Sequence, residues 1–495
     1  MASEINSKEL FFKELSDFRE LIDVKEGEFE KKIKDNVAEL FDTPPIQALK
    51  NRYQLGLINK VSTKWENVKH TRFEHTVGVV AKCIIVCDLI NKNSKNGLNL
   101  NEKDVRELSA AAALHDCGHL PISHAVERAF LSSGNFKKGV SHEERILPIL
   151  FSKNPYSKKL REILLKWPDF NEHSLLRIGC IISQDMGIEY TKNIKNFVWP
   201  KRAIQQLLVS EIDLDRLDYV LRDSTKTNYF SITLIHDKII NYTKNLSLIE
   251  SNIVGQNNPS DNVELLISSK YLDSIFNLLV SRVLLYKYIY FSEKLRSFEA
   301  VLTYLIGIFI EERISLDPLK LIAMSDENFI NNYLDEQIKY IEKKEYRTHL
   351  KTKYIDVLKK QKAERFKLLF SIHDYGIKNP RFKEDFLKNI KKREYIERIK
   401  KRIIDETKDK SEIERIERNE ILFDIFHIKT GGGDLLVFDE ELAKNRTLKD
   451  FMNGSNMHRL CSETRLDVYL KSDLSAIKKT SIKNYIKNFF YYEES

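Results

Sequence analysis

The chain has 495 residues, of which 42% are hydrophobic and 31% are charged, and its 81 basic and 73 acidic side chains leave a net charge of +8. This composition excludes a disordered or fibrous protein and favours two or three globular domains, or one large domain with an appendage. The scarcity of glycine (16) and proline (10) favours long helices over a barrel or a sandwich. The mild basic excess suits an anionic ligand but does not by itself indicate nucleic acid.

The cysteines and the N-terminal residues indicate the cellular compartment in which we expect the protein. The five cysteines, at positions 83, 87, 117, 180 and 461, are scattered and form no CxxC pair. We therefore expect reduced thiols, as in a cytosolic protein. Met1-Ala2-Ser3-Glu4 does not begin a secretory signal, and no apolar run approaches the roughly 18 residues that a membrane span needs. We expect a cytoplasmic protein that does not contact a membrane.

The first part of the chain alternates short helical patterns with breaks. Residues 1–35 are charged and predict one or two short helices. The prolines of Asp42-Thr43-Pro44-Pro45 predict a turn, and Ile46 to Leu57 resumes an apolar helical pattern. Residues 58–71 predict a short hairpin or an irregular connection.

Helical periodicity dominates from Phe73 onward, which predicts a mainly α fold. A helix from about Asp104 to Asp116 ends at the adjacent pair His115-Asp116. A further helix is predicted from Ala203 to Asp223, with Asp215, Tyr219 and Asp223 on one face. The other predicted helices lie at 123–134, 142–152 and 261–310.

The last part of the chain changes character near residue 316. Residues 338–420 are rich in Lys, Arg and Glu at helical spacing, which indicates a solvated helix face or, alternatively, a basic surface for a polyanion or a partner subunit. Residues 421–428, 435–438 and 466–470 predict strands, followed by a helix through Phe490. Gly431-Gly432-Gly433 lacks the Lys-Ser/Thr of a P-loop and predicts a hairpin turn.

Histidines concentrate in one part of the chain. Half of the 12 histidines lie between residues 70 and 142, at positions 70, 75, 115, 119, 124 and 142. Core packing does not explain this density, and nearby Asp, Arg, Gly and Pro residues favour a functional site. The pair His115-Asp116 supplies ligands suited to Zn, Fe, Mn or Mg, but a catalytic metal usually needs at least three protein ligands. His75 and Asp215 are available as the others.

Several separated motifs resemble a known family. They occur in the order Asp42-Thr43-Pro44, Gln54-Leu55-Gly56, Arg72 to Gly78, His115 to His124, His142-Glu143 and Asp213 to Asp223. Together they resemble the HD-domain metal-dependent phosphohydrolases, and within them the deoxynucleoside triphosphate (dNTP) triphosphohydrolases of the bacterial dGTPase and vertebrate sterile-alpha-motif HD type. Arg282 and Tyr290 are similar to that family's Arg-plus-Tyr helix. The resemblance covers about residues 36–310.

The changes in composition along the chain, together with the resemblance, predict a domain order, and the resemblance implies a ligand set. The expected parts are an N-terminal segment (1–35), an HD phosphohydrolase domain (36–315), a charged helical region (316–420) and a small α+β unit (421–495). His75, His115, Asp116 and Asp215 are expected to hold a divalent metal ion (Mn, Fe, Zn or Mg), and a magnesium ion can also accompany the triphosphate.

The resemblance also implies catalytic and substrate-binding roles. His124 is expected to protonate the leaving 5′-oxygen, and Glu127 to orient His124. His119, His142, Arg72, Arg216 and Arg282 are expected to neutralise the triphosphate. Gln54, with Leu55 beside it, and Asp223 are expected at the sugar 3′-hydroxyl. Tyr219 and Tyr290 are expected to exclude a 2′-hydroxyl, although ordinary core packing also explains a buried tyrosine. For Arg222 a salt bridge with a nearby Asp is the expected role.

Three departures from the family pattern affect substrate choice and regulation. Ser292 stands where the family often has His, Gln47 is followed by Ala48 where the family has Arg, and the short N-terminal segment does not accommodate a sterile-alpha-motif domain. The resemblance further implies a homo-oligomer (dimer, tetramer or hexamer) with a nucleotide activator at subunit junctions. It implies a part in dNTP pool control or in phage defence; nucleic acid is not required.

Two other functions remain open from the sequence. One is an HD phosphodiesterase or phosphohydrolase that acts on a signalling nucleotide, against which Gln54-Leu55-Gly56 and the Arg282/Tyr290 helix count. The other is a non-catalytic regulator that binds nucleotide or nucleic acid, motivated by the basic helices at 388–420.

Overall fold

The protein is described from a computed structural model. The described residues are 6–95, 97–133, 141–210, 212–229, 232–250, 262–360, 366–373, 421–428, 436–442, 444–454 and 463–471, with isolated positions between 384 and 401 and between 480 and 484. Most of the basic run at 391–399, the triple glycine at 431–433 and most of the helix predicted through Phe490 lie outside them.

The described chain is mainly α-helical, as the sequence predicts. Its longer helices, numbered in chain order, are α1 Ser7–Leu21, α2 Glu28–Leu40, α3 Arg72–Asn93, α4 Glu102–Leu114, α5 His124–Ser133, α6 Ile146–Phe151, α7 Pro155–Leu164, α8 Glu172–Ile182, α9 Gln184–Thr191, α10 Arg202–Leu208, α11 Leu214–Thr227, α12 Ile232–Thr243, α13 Leu272–Leu285, α14 Glu293–Glu311, α15 Lys344–Leu350 and α16 Leu448–Gly454.

Helix α3 is the centre of the core. Its residues are buried on every side from Arg72 to Ile90, apart from the half-buried Glu74, and it packs against α1, α2, α4 and α11. A helix that is apolar around most of its circumference belongs inside a larger protein. Thr71 begins α3 with a capping box, in which its hydroxyl accepts from the Glu74 N–H and the Glu74 carboxylate accepts from the Thr71 N–H. This cap fixes the first turn, which carries His75.

The single helix predicted from Ala203 to Asp223 is wrong, because the chain breaks between α10 and α11. Asp213 has an extended backbone, and its side chain accepts from the N–H groups of Ser210 and Arg216. It therefore caps a new helix. Asp215 is consequently in the first turn of α11, where the positive end of the helix dipole stabilises a carboxylate. Asp215, Tyr219 and Asp223 do lie on this one helix, as predicted.

Two small sheets lie beside the helices. The strands are β1 Ser247–Glu250, β2 Val263–Ser268, β3 Phe366–His373, β4 Ile421–Ile428, β5 Leu436–Asp439, β6 Lys444–Thr447 and β7 Glu463–Lys471. One sheet has the order β1-β2-β5-β6, with β2 and β5 parallel and the other pairs antiparallel. The other has β7 between β3 and β4, antiparallel to both.

The sheets correct three local predictions. Residues 261–310 are not wholly helical, since β2 precedes α13, and β3 interrupts the region expected to be helical between 316 and 420. The strands on either side of the triple glycine, β4 and β5, belong to different sheets, so they do not form the predicted hairpin. Residues 58–71 form an irregular connection with the short helical turns Ile58–Val61 and Thr63–Trp65.

The sheets also connect distant parts of the chain. Leu266 and Ile267 of β2 pair with Leu436 and Val437 of β5, so the C-terminal region completes a sheet begun in the middle of the chain. The domain boundaries stay predictions. The pairing of β2 with β5 joins residues on opposite sides of the two boundaries predicted after residues 315 and 420.

The cysteines and the helices relate to the expected cytoplasmic location. Cys83, Cys87, Cys117 and Cys180 are free thiols in the buried core, and Cys461 lies outside the described residues. Among the helices that the structure describes, none has both the length and the apolar composition needed to cross a membrane.

Candidate active site

The four residues expected to bind a metal converge from three helices. His75 lies in the first turn of α3, His115 and Asp116 directly follow α4, and Asp215 lies in the first turn of α11. Asp215 Oδ1 is 2.8 Å from His75 Nε2 and 3.6 Å from His115 Nε2. Asp116 Oδ1 is 3.5 Å from His115 Nε2. Residues separated by up to 140 positions therefore present their donor atoms to one small space.

Each histidine is held from behind by an acceptor. His75 Nδ1 lies 2.8 Å from Asp218 Oδ2, and His115 Nδ1 lies 2.7 Å from the carbonyl oxygen of Ala112. A carbonyl only accepts, so His115 Nδ1 carries a hydrogen and the lone pair of the neutral ring is on Nε2. Such acceptors fix the ring orientation of metal-binding histidines. Both Nε2 atoms consequently face the shared space.

The residues present fit a divalent cation. His75, His115 and Asp215 offer one donor atom each within 4.8 Å of one another. His115 Nε2 is buried and has no hydrogen-bond partner among the described residues, a condition that buried polar atoms rarely tolerate without a ligand. Mixed imidazole and carboxylate ligands suit Zn, Fe or Mn, and carboxylates also suit Mg. The donor set thus fits the expected group of metals but does not distinguish among them.

Electrostatics keep the carboxylates of this group ionised. Burial raises the pKa of Asp215, but the neighbouring imidazoles of His115 and His75 outweigh burial and hold this pKa far below its usual range. Burial likewise opposes ionisation of Asp116, but the charge of Arg72, together with the neighbouring imidazoles of His115 and His119, outweighs burial and lowers the pKa of Asp116. A buried carboxylate, Asp116, and a half-buried one, Asp215, that both stay negative are an attractive environment for a cation.

A second group of histidines surrounds Glu127 on α5. Its Oε2 atom is 3.2 Å from His124 Nδ1, and its Oε1 atom is 3.5 Å from His142 Nδ1 and 3.6 Å from His119 Nδ1. The rings of His119 and His142 stack with centroids 3.7 Å apart. The three predicted histidines and Glu127 are therefore one cluster in the tertiary structure.

Asp116 links this cluster to the metal-ligand group. Its Oδ1 atom is 3.1 Å from His119 Nε2, and donor atoms of Asp116, His119 and His142 also lie within 4.8 Å of one another. Burial, together with the charges of Arg72 and His142, lowers the pKa of His119 to about 3. His119 is therefore neutral, whereas the His124 side chain is 59% exposed and open to a bound molecule.

The predicted phosphate-binding arginines have different surroundings. Arg72 is buried, with Nη1 2.9 Å from Asp116 Oδ2 and Nε 3.0 Å from Ser123 Oγ, so it also orients a metal ligand. Arg216 Nη1 is 2.7 Å from Asp213 Oδ2. The Arg282 guanidinium lies 5.4 Å from the centre of the Tyr286 ring and is close enough to Arg216 for mutual repulsion. Arg216 and Arg282 thus place two neighbouring positive charges beside one carboxylate, which favours binding of an anion.

The residues predicted to bind the sugar also cluster. Tyr290 Oη donates to Asp223 Oδ2 at 2.5 Å, and the Tyr219 and Tyr290 ring centres are 6.5 Å apart. Tyr290 ends a π-helical turn, Tyr286–Tyr290, that follows α13. Gln54 Oε1 is buried and finds no hydrogen-bond partner in the part of the chain that the structure describes, and Leu55 beside it is also buried. The Tyr290 hydroxyl is satisfied by a predicted site residue, which agrees both with the expected sugar-binding role and with core packing.

Sequence reasoning missed three residues that support these groups. His70 Nε2 is 2.7 Å from Asp223 Oδ1, and its carbonyl accepts from the Gln54 N–H. Asp218, which contacts His75 Nδ1, is one of several acidic residues in its part of the sequence. Its position one helical turn after Asp215 could have indicated that it lies near the same histidine. Arg145 Nη1 contacts both Glu127 Oε1 and the Gly118 carbonyl, and nothing local in the sequence indicated it. Arg222 forms salt bridges with Asp218 and Glu14, as expected.

A family model described as the HD domain matches residues 72–173. The chain contains an HD domain. The matched residues include His75, His115 and Asp116, whereas Asp215 lies beyond them. The matched range thus includes three of the four residues expected to bind a metal, and the fourth, Asp215, lies on α11.

Several known proteins resemble the chain over part of its length. An uncharacterized protein of Mycoplasma genitalium, MG461, is 29% identical over 254 residues, covering 51% of each chain. The uncharacterized protein YwfO of Bacillus subtilis is 25% identical over 265 residues, covering 54% of this chain and 50% of YwfO. The mouse deoxynucleoside triphosphate triphosphohydrolase SAMHD1 is 29% identical over 196 residues, covering 37% of this chain and 28% of SAMHD1.

A solved structure matches most of the fold. It is a hypothetical protein from Aquifex aeolicus, 18% identical, with a TM-score of 0.54, and the match covers 90% of this chain and 95% of that chain. At this identity the likeness concerns the fold alone. The chain spans about half the length of the first curated relatives that it matches.

Proposed function

We propose that the protein is a metal-dependent dNTP triphosphohydrolase, which converts a dNTP and water to a deoxynucleoside and tripolyphosphate. The observation that carries the proposal is the meeting of two groups at Asp116. One group comprises His75, His115, Asp116 and Asp215, and the other comprises His119, His124, His142 and Glu127. A cation-binding group beside an accessible imidazole–carboxylate pair is what hydrolysis of a phosphate ester with a poor leaving group requires.

The two groups divide the work of the reaction. A divalent metal bound by His75, His115, Asp116 and Asp215 would lower the pKa of a bound water and polarise the phosphate. The bond that breaks joins the α-phosphorus to the 5′-oxygen, and this oxygen leaves as an alcohol only if it receives a proton. His124 is exposed and can donate that proton. Glu127 holds the His124 ring in place through Nδ1.

The remaining residues are proposed to bind the substrate. Arg216 and Arg282, with Arg72 and His142 nearer the candidate metal position, neutralise the triphosphate, whereas the neutral His119 contacts the triphosphate without adding a charge. Asp223 and Gln54 bind the 3′-hydroxyl, and the rings of Tyr219 and Tyr290 leave no room for a 2′-hydroxyl. The hydrogen bond between Tyr290 and Asp223 supports this assignment, because it joins the tyrosine proposed to exclude a 2′-hydroxyl to the aspartate proposed to bind the 3′-hydroxyl. The resemblance to SAMHD1, whose name states this activity, supports the same substrate class.

The proposal is tested by resolving the products. Protein loaded in turn with Mn, Fe, Zn and Mg is incubated with each dNTP, alone and in pairs, and the products are separated by anion exchange. Tripolyphosphate with free deoxynucleoside is the expected result. Activity only in mixtures would indicate a nucleotide activator, and an oligomer that forms only with nucleotide would indicate assembly-dependent control.

Matched variants and substrates define the alternatives. Asp215→Asn should lose metal and activity together, while the exposed Asp185→Asn should lose neither. Release of pyrophosphate or monophosphate from a dNTP would contradict the proposal. So would hydrolysis confined to cyclic or alarmone nucleotides, which would indicate a signalling phosphohydrolase instead. Tight nucleotide or nucleic-acid binding without turnover under any metal would indicate a regulator.

A further inference from the structure

One buried carboxylate from the region after residue 316 holds two parts of the candidate site. Asp326 is 1% exposed and begins the short helix Asp326–Asn328, which Ser325 caps. Its Oδ1 atom accepts from the Ile122 N–H at 2.8 Å, and its Oδ2 atom accepts from the Tyr53 N–H at 3.0 Å. Ile122 belongs to the loop between His119 and His124, and Tyr53 precedes Gln54. A single side chain therefore joins the loop of the proposed acid to the segment of the proposed sugar contact.

The Ile122 contact stabilises an unfavourable turn. Ile122 and Ser123 have φ angles of 55° and 42°, in the left-handed region. A β-branched residue is strained there, and such strain persists only where surrounding contacts hold it. Ser123 Oγ accepts from Arg72 Nε, and the Ser123 carbonyl accepts from the Glu127 N–H. The turn thus sets the positions of Arg72, of Glu127 and of His124, which follows it directly.

The Tyr53 contact orients the other side of the site. Tyr53 forms an isolated β-bridge with Thr71, in which the Gln54 N–H donates to the His70 carbonyl and the Arg72 N–H donates to the Arg52 carbonyl. This bridge links the segment that carries Gln54 to the start of α3. Asp326 therefore acts on Gln54 and on Arg72 through the backbone.

A buried cation compensates the charge of Asp326. The Arg52 side chain is fully buried, donates to the Ile322 carbonyl and attracts Asp326 electrostatically. Burial raises the pKa of Asp326, and the two N–H groups and Arg52 act against that rise. A buried carboxylate that accepts two backbone hydrogen bonds is expensive to remove, because both donors would be left unsatisfied.

We propose that Asp326 is a positioning residue that clamps the Ile122–Ser123 turn to the Tyr53–Gln54 segment and so sets the distance between the acid His124 and the sugar-binding Gln54. The inference rests on the proposed function for the roles of His124 and Gln54. The clamp itself rests on the two backbone contacts. The region after residue 316 then contributes to the active site through Asp326, in addition to any role of its charged surface.

The test compares Asp326→Asn with Asp335→Asn in the metal-loaded full-length protein. An amide offers one acceptor oxygen, and its NH₂ group faces the other N–H donor, so Asp326→Asn leaves at least one backbone donor unpaired. Asp335 lies in the same region, is half-buried and pairs with Lys359, with no contact among the described site residues. It is a matched control for loss of a carboxylate.

Two measurements separate positioning from general destabilisation. Hydrogen–deuterium exchange should become about tenfold faster in peptides covering 50–56 and 118–124 in Asp326→Asn and stay unchanged in Asp335→Asn. At full metal occupancy and well below the melting temperature, kcat should fall at least about tenfold in Asp326→Asn, with a smaller change in KM. Ser325→Ala keeps the Asp326 carboxylate but removes the cap on its helix. It should increase the exchange rate and decrease kcat, each by less than Asp326→Asn does.

The outcomes distinguish this inference from the proposed function. Unchanged exchange at both segments in Asp326→Asn would overturn the clamp, as would a kcat within twofold of wild type or a loss of kcat that matches the loss of bound metal. If Asp326→Asn does not fold, the same readings are taken from Ser325→Ala. If the wild-type protein hydrolyses no dNTP, the proposed function fails, and the exchange result alone decides on the clamp.

Discussion

The Nδ1 atom of His75 lies 2.8 Å from Oδ2 of Asp218, while the Nε2 atom of the same ring lies 2.8 Å from Oδ1 of Asp215. The imidazole is therefore held between two carboxylates of one helix, α11. Asp218 is itself bonded by Lys82 Nζ at 2.7 Å and by Arg222 Nε at 2.9 Å. Only Asp215 faces the candidate metal position, so Asp218 is an outer residue that orients a ligand.

Replacement of Asp218 should weaken metal binding without removing a ligand. Asp218→Asn is expected to lower metal affinity about 10- to 100-fold, because the acceptor that fixes the His75 ring loses its charge. It should also lower the melting temperature of the metal-free protein, since Lys82 and Arg222 remain buried without their shared carboxylate. Competition with a chelating dye measures the affinity. Asp185→Asn, at an exposed position on α9, is the control, and equal affinity in the two variants would contradict the prediction.

Replacement of His124 should abolish turnover and preserve the fold. His124→Gln is expected to lower kcat about 10²- to 10⁴-fold, because the 5′-oxygen would leave without a proton. Its side chain is 59% exposed, so unfolding stability should change by less than about 0.5 kcal/mol and metal content should not change. Steady-state kinetics and metal analysis check both expectations. His173→Gln, an exposed histidine on α8, should retain full activity.

Replacement of Tyr290 should affect the choice of sugar. Tyr290→Phe removes the donor to Asp223 Oδ2 and leaves that buried oxygen unpaired. We expect kcat/KM for dNTPs to fall about tenfold. The ratio of kcat/KM for dNTPs to that for ribonucleotides should also decrease, because removal of the tyrosine hydroxyl leaves space for a 2′-hydroxyl. Tyr288→Phe is the matched control, since Tyr288 is on the same turn and 52% exposed. An unchanged preference in Tyr290→Phe would contradict the sugar-binding role.

The stability that His142 contributes should depend on pH. Burial alone lowers the pKa of His142, but the charges of Glu143 and Glu127 outweigh burial and raise it to about 9 from its ordinary 6.5. The folded state therefore binds the proton more tightly than the unfolded state. The stabilisation is fully present below pH 6.5 and is lost as the pH rises through about 9. Denaturant unfolding of metal-free wild type and His142→Gln, measured between pH 6 and pH 9.5, should show a stability difference that shrinks with rising pH. A difference independent of pH would show that His142 is not protonated in the folded protein.

Much of the candidate site follows from local sequence and from the resemblance that it carries. The capping residues Thr71 and Asn101 begin the helices that bear His75 and end at His115, and both capping boxes are visible as short sequence patterns. The four expected ligands are grouped in the structure. The predicted Glu127 is in contact with His124, as the spacing of one helical turn implied. The capping boxes and the contact between Glu127 and His124 depend on residues a few positions apart, for which periodicity and capping are informative. The grouping of the four expected ligands joins distant residues, and the resemblance alone predicted it.

The supporting contacts depended on the tertiary structure. Asp326 is more than 200 positions from Ile122, His70 is 153 from Asp223, and β5 pairs with β2 across the middle of the chain. The break before Asp213 was also hidden, because Asp213 reads equally well as a cap or as one more acid in a continuous helix. By itself the sequence determined which residues can bind a metal and donate a proton, since that is a property of side-chain chemistry. Only the folded chain decided which carboxylates face the candidate metal position and which lie behind the histidines, because that depends on packing between elements distant in sequence.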